Sequence, residues 1–124
     1  MDRIINILII EDDVDLQTVY EMILSSQGYR VKTANDGLEG LKALSDFTPD
    51  VILLDYFMPN MDGKTFLQNY DPTRLPNTKI VLASNVSDQS IINELLELGA
   101  HSNVLKADLS PSQLLEVIDS NLQA

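Results

Sequence analysis

The 124-residue sequence predicts an α/β fold, a doubly wound five-stranded parallel sheet with helices on both faces. Three observations carry this expectation. Five short apolar runs alternate strictly with five helix-patterned segments, the signature of successive β-α units joined by right-handed crossovers. The runs are continuously apolar rather than alternating, as in strands buried on both faces. Helix caps and glycines punctuate the segments between them.

The elements follow in order. Ile4 to Ile10 is β-branched and almost wholly apolar, a first strand. Leu16, Val19, Tyr20, Ile23 and Leu24 form one face of a helix, with Gly28 placed as its C′ residue. Tyr29 to Ala34 is a second strand. Asp36 and Glu39 are spaced as N-cap and N3 of a second helix, whose apolar stripe is Leu38, Leu41 and Leu44. Val51 to Leu54 is the third strand, and Gly63 to Tyr70 a short helix ended before Pro72. Lys79 to Ala83 is the fourth strand. Asp88 caps a helix with Ile91, Ile92, Leu95 and Leu96 facing inward and Gly99 past its end. Ser102 to Leu105 is the fifth strand. Ser110-Pro111-Ser112-Gln113 opens the last helix with a cap, a first-turn proline and Gln at N3.

Composition narrows the function. Apolar residues make up 44% of the chain, which suits a globular domain rather than disorder. No run approaches the ~20 apolar residues of a membrane span. The N-terminus lacks the form of a signal peptide. The chain has no cysteine, which excludes disulfides, thiolate metal sites and cysteine nucleophiles and fits a cytoplasmic setting. A net charge of −11 argues against nucleic acid and anionic membranes as partners.

In such sheets ligands bind beyond the carboxyl ends of the strands. Strand one is followed there by Glu11, Asp12 and Asp13, strand three by Asp55, strand four by Ser84 and Asn85, and strand five by Lys106. Carboxylates brought that close raise one another's pKa and destabilise the fold unless a cation shares the site. An oxygen-only donor set without His or Cys suits Mg²⁺. Asp55 is then placed as a nucleophile toward phosphorus, with Lys106 and the Ser84 hydroxyl available to a phosphoryl group. Taken singly, each residue has a plainer role. "EDD" can be a helix N-cap, Asp55 a turn residue, Ser84 a loop hydroxyl and Lys106 a solvated charge. Their joint placement at four strand ends favours the shared site. His101 reads as a surface or loop residue.

The motifs "ILIIEDD" (Ile7 to Asp13), "DVILLDYFMPNMDG" (Asp50 to Gly63), "KIVLASN" (Lys79 to Asn85) and "VLKAD" (Val104 to Asp108), in this order, resemble the receiver domain of bacterial response regulators. The resemblance covers essentially the whole chain and implies a flavodoxin-like sheet of order 2-1-3-4-5. It implies Asp55 as phosphoacceptor, and Mg²⁺ (or Mn²⁺) bound by Asp12 and Asp55, by Glu11 through water and by the backbone carbonyl of Phe57. Ser84 matches the switch hydroxyl and Lys106 the family's lysine, while Asp13 is treated first as a helix cap. The implied donor is a sensor histidine kinase or a phosphotransfer protein, and the implied output is altered binding of a downstream protein. The only catalysis expected is of the domain's own phosphorylation and dephosphorylation. Residues 1–124 are expected to form one receiver domain, and the Met1 start favours a single-domain regulator over a fragment.

Several positions depart from the family pattern. Asn103 stands where strand five usually carries an aromatic. Ala107 replaces the proline after the lysine, so a trans Lys106–Ala107 bond and a reshaped Lys106–Ser110 loop are expected. Asn85 replaces a small residue. Phe57 and Val86 are apolar where side chains influence dephosphorylation, which implies a long-lived phosphorylated form. Three other readings stay open: a receiver-fold interaction module with impaired or non-standard switching, a Mg²⁺-dependent phosphatase with an aspartyl nucleophile, and a flavodoxin-like cofactor binder. The phosphatase usually has a second acid two residues after the nucleophile, where this chain has Phe57. The cofactor binder would want a phosphate-cradling loop, where this chain has "EDDVD".

Overall fold

The structure is a computed structural model that describes residues 3–123; the ends of the expected 1–124 domain lie outside the described residues. The strands are β1 (Asn6–Ile10), β2 (Arg30–Ala34), β3 (Val51–Leu54), β4 (Lys79–Ser84) and β5 (Ser102–Leu105). They alternate with α1 (Val14–Ser25), α2 (Gly37–Ala43), α3 (Gly63–Asn69), α4 (Gln89–Glu97) and α5 (Pro111–Leu122). All neighbouring strands are parallel, in the order β2-β1-β3-β4-β5.

Side chains alternate across the sheet and build two cores. Ile7, Ile9, Val51, Leu53, Val81 and Ala83 pack on Tyr20 and Leu24 of α1 and on Leu114 and Ile118 of α5. Leu8, Ile10, Ile52, Leu54, Ile80 and Leu82 pack on Phe66 and Leu67 of α3 and Leu95 of α4. The three central strands are buried on both faces, as expected. β2 and β5 are half-buried, because each is an edge strand with a neighbour on one side only.

Several boundaries and faces differ from expectation. Ile4 is 65% exposed and Tyr29 precedes β2, since pairing starts at Asn6 and Arg30. Val19, Leu38 and Leu96 are exposed. In α2 the innermost positions belong to Gly37, Gly40 and Ala43, with Leu41 and Leu44 packed beside them. Gly40 lies so close to the sheet that a Cβ would meet Ile10 Cδ1 at 2.5 Å, so larger residues such as Leu38 are displaced to the rim. The C-cap of α1 is Ser26, which puts Gly28 (φ +86°) one position beyond C′. Asp36 caps Glu39 N–H at 2.8 Å, but the Glu39 carboxylate accepts from Asn35 N–H rather than from Asp36. Asp13 and Ser110 cap α1 and α5 as expected. No cis peptide bond occurs among the described residues, and Lys106–Asp108 forms a 3-10 turn, the reshaped loop expected there.

His101 is exposed, as expected, but it also has a structural partner. Its Nδ1 accepts Ile80 N–H at 3.0 Å, while its own N–H donates to Ile80 C=O at 2.8 Å. The side chain thus completes the β4–β5 ladder where the backbone acceptor runs out. Burial, then the Lys79 ammonium, hold the ring's pKa below its usual value. The fold therefore favours the neutral ring, whose contribution is present above the unfolded value of about 6.5 and lost as pH falls through the folded value. The protection factor of the Ile80 amide, its exchange relative to the intrinsic rate at each pH, is expected to fall as pH drops in that window and to stay low and constant in His101→Ala. An Ile80 protection factor that does not change with pH in the parent would refute the bond.

Candidate functional site

Strand order reverses at β1, which lies between β2 and β3, and the acidic residues collect at that point. The ladder aligns Ile10 with Leu54, so Glu11 and Asp55 emerge side by side. Asp55 N–H donates to Ile10 C=O at 3.0 Å and Glu11 N–H to Ala34 C=O at 3.0 Å, fixing both backbones. Glu11, Asp12 and Asp55 each offer a carboxylate oxygen, and these atoms lie within 4.8 Å of one another. Lys106 Nζ sits 2.7 Å from Glu11 Oε1 and 3.2 Å from Asp55 Oδ2. Glu11 and Asp55 are buried and Asp12 is exposed.

The electrostatics follow from that burial. Desolvation raises the Glu11 carboxyl to about 7, against the opposing pull of Lys106 and of Asp13 N–H, which donates to Oε2 at 3.1 Å. Asp55 is also raised, again by burial first, with Lys106 opposing. Burial alone would lower Lys106, but its hydrogen bonds and the charges of Glu11 and Asp55 outweigh that and hold it above the usual lysine value. Three carboxylates thus face one ammonium, and the metal-free pocket is under-neutralised.

An expected result follows. Asp55→Asn is expected to stabilise the metal-free protein by about 1–2 kcal/mol. A carboxyl whose folded pKa is raised contributes stability that is complete below its unfolded value and lost as pH rises. The gain is therefore expected in melts at about pH 8 and absent below about pH 4. Lower stability of the variant at the higher pH would contradict an under-neutralised pocket. The same exchange at exposed Asp12 is expected to gain less.

Ser84 ends β4 opposite Leu105, the residue before Lys106. Its hydroxyl is buried and accepts Val86 N–H at 3.2 Å. Phe57, two residues beyond Asp55, is 69% exposed and packs edge-on against Tyr56, with ring centres 4.6 Å apart. The Asp55 carboxylate accepts Tyr56 N–H at 2.8 Å. The loop then closes through Gly63 N–H, which donates to Tyr56 C=O at 2.9 Å.

Three supports were not foreseen from the sequence. The buried Gln17 amide donates to the Glu11 carbonyl and to Asn35 Oδ1 at 2.7 Å, holding the acidic turn against β2. Its spacing to Tyr20 and Leu24, three and seven residues, was the available signal that it faces inward. Asn60, in the left-handed conformation at φ 65°, donates to Asp36 Oδ2 at 2.9 Å and ties the loop after Asp55 to the start of α2. Asn85 Oδ1 accepts Ala107 N–H at 3.0 Å, joining the loop after β4 to the turn of Lys106.

Comparison with known proteins agrees with this fold. The family described as response regulator receiver domain matches residues 7–119. The chemotaxis protein CheY of Treponema pallidum is 32% identical over 123 residues, covering 94% of this chain and 82% of that protein. The transcriptional regulatory protein AfsQ1 of Streptomyces coelicolor is 38% identical over 82% of this chain, and the chain spans 44% of its length. The chain spans only 33% of the length of a Myxococcus xanthus protein-glutamate methylesterase/protein-glutamine glutaminase, at 34% identity over 93% of this chain. Among solved structures, a CheY-like receiver domain protein of Methanospirillum hungatei superposes with a TM-score of 0.89 at 26% identity, covering 98% of this chain and 95% of that one. With the parallel sheet, its order and nearly the whole sequence in agreement, the chain belongs to the response regulator receiver domain family of two-component signalling.

Proposed function

We propose that the protein is a phosphoacceptor switch: Asp55 takes a phosphoryl group from a sensor histidine kinase or a phosphotransfer protein, and the phosphorylated form changes its binding to a downstream protein. The observation that carries this reading is the convergence of Glu11, Asp12 and Asp55 oxygens within 4.8 Å, with Lys106 Nζ on two of them. In the transfer an Asp55 oxygen attacks phosphorus, the donor's P–N bond breaks, and the departing imidazole recovers a proton. Lys106 turns from the carboxylates to hold a phosphoryl oxygen, and the Ser84 hydroxyl donates to another.

The donor set fits a hard divalent cation, being all oxygen and deficient in positive charge. Asp12, Asp55, Glu11 through water and the Phe57 carbonyl would hold Mg²⁺ or Mn²⁺, which supplies the positive charge that a transferring phosphoryl group needs. The net charge of −11 favours a partner with a basic surface. Among the described residues no helix is long and apolar enough to cross a membrane, and the cysteine-free chain suits a cytoplasmic setting.

Incubation with Mg²⁺ and a small acyl phosphate is expected to add one phosphoryl group by intact mass, labile to hydroxylamine and absent from Asp55→Asn. No adduct would favour an inert interaction module of the same fold. Phe57 is an exposed apolar ring and Val86 is buried, so neither orients an attacking water. The adduct is accordingly expected to persist well beyond seconds once donor is removed, and decay within seconds at neutral pH with Mg²⁺ would contradict that.

A further inference from the structure

We propose that Asn85 is the positioning residue for Lys106, capping from the end of the neighbouring strand the turn that carries the lysine; the proposal rests on the phosphoacceptor reading above. The 3-10 turn Lys106–Asp108 starts at Leu105, whose side chain has no group to cap it. Backbone N–H groups in a first helical turn lack partners within the turn. Asn85 supplies the acceptor from twenty-two residues away, through the 3.0 Å bond from Ala107 N–H. Since the donor is a backbone N–H, the accepting atom of Asn85 can only be its oxygen, which fixes the amide's orientation by chemistry.

The placement gives the bond its consequence. Ser84 and Leu105 form the last register pair of β4 and β5. Asn85 directly follows the buried Ser84 hydroxyl, and Ala107 directly follows Lys106. One hydrogen bond therefore couples the residue beside the hydroxyl to the residue beside the ammonium, past the point where the ladder stops. Lysine reaches its target on a flexible four-carbon stem, so the position of its backbone decides where Nζ spends its time. The device also needs a donor at position 107. Alanine provides one and proline would not.

The test is a cycle of Asn85→Leu, Ala107→Pro and the double variant, read as affinity for beryllofluoride with Mg²⁺. Each single change is expected to weaken binding by about 3- to 10-fold, the range for one solvent-accessible hydrogen bond. The double variant is expected to be no worse than the weaker single, because both remove the same bond. Ala107→Gly, which keeps the N–H, is expected to bind like the parent. In Asn85→Leu the Ala107 amide proton is expected to shift upfield and exchange faster, an assay that also decides the matter if Ala107→Pro fails to fold. Single effects that multiply, parent-like binding by Asn85→Leu, an unmoved Ala107 amide, or a glycine variant as impaired as the proline one would each overturn the proposal. A parent that takes up no beryllofluoride would overturn the phosphoacceptor reading, and this role with it. Independent effects in a parent that binds would overturn this role alone.

Discussion

Lys106→Met is expected to destabilise the metal-free protein by about 3 kcal/mol at about pH 8, the cost of removing one partner from a buried ion pair. Lys106 Nζ is the cation placed against Glu11 Oε1 and Asp55 Oδ2, and both of those residues are buried. Without it their carboxylates either remain charged in a desolvated pocket or take up protons. Glu11 already titrates at about 7 with the lysine present, and Asp55 is already raised. Loss of the ammonium pushes both further in the same direction. Acids with raised folded pKa values contribute stability that is complete below their unfolded values and lost as pH rises through the folded ones. The defect is therefore expected to shrink at about pH 5, where protons replace the missing cation. Millimolar Mg²⁺ is expected to recover part of it at the higher pH, by binding the native state alone. Denaturant melts at the two pH values, with and without Mg²⁺, check this. A defect of equal size throughout would mean that Lys106 acts by packing rather than by charge.

Gly63→Ala is expected to cost about 3 kcal/mol, roughly 10 °C in melting temperature for a domain of this size. A Cβ at Gly63 would sit 2.5 Å from the Asp55 carbonyl oxygen and 3.1 Å from Tyr56 Cα. Both are backbone atoms, so no rotamer change relieves the overlap. The strand end must move, and with it the Asp55 carboxylate and the 2.9 Å closure of the loop onto Tyr56 C=O. Phosphoryl uptake is expected to fall together with stability. Gly28→Ala is the control. Gly28 has open space around it but φ +86°, so it is expected to cost only about 1 kcal/mol and to leave uptake unchanged. Equal effects at the two glycines would argue against a specific constraint beneath Asp55.

The β-α alternation, the buried central strands and the acidic strand ends were legible because periodicity and apolar runs report directly on burial. Edge placement was not, because "RVKTA" of β2 reads as a strand without stating how many neighbours it has. Leu38 lies outside the packed face because that face is centred on Gly37, Gly40 and Ala43, where small residues bring α2 against Met61 and Ile10, and an apolar stripe alone does not reveal that glycines form the contact. At the site, the charged residues could be located because strand ends are local features. Gln17, Asn60 and Asn85 hold that site through bonds to groups 6 to 24 residues away, and such pairings depend on register and loop path. The acceptor at His101 Nδ1 depends on register in the same way, since its donor Ile80 lies on the neighbouring strand.

The most direct measurement is the melting temperature with Mg²⁺ and beryllofluoride, in the parent and in Asp55→Asn. A ligand bound at about 100 times its dissociation constant adds roughly 2.7 kcal/mol of stability. The parent is expected to melt several degrees higher and the variant to be unmoved. An unshifted parent, or a variant that gains as much, would contradict a phosphoryl site built on Asp55.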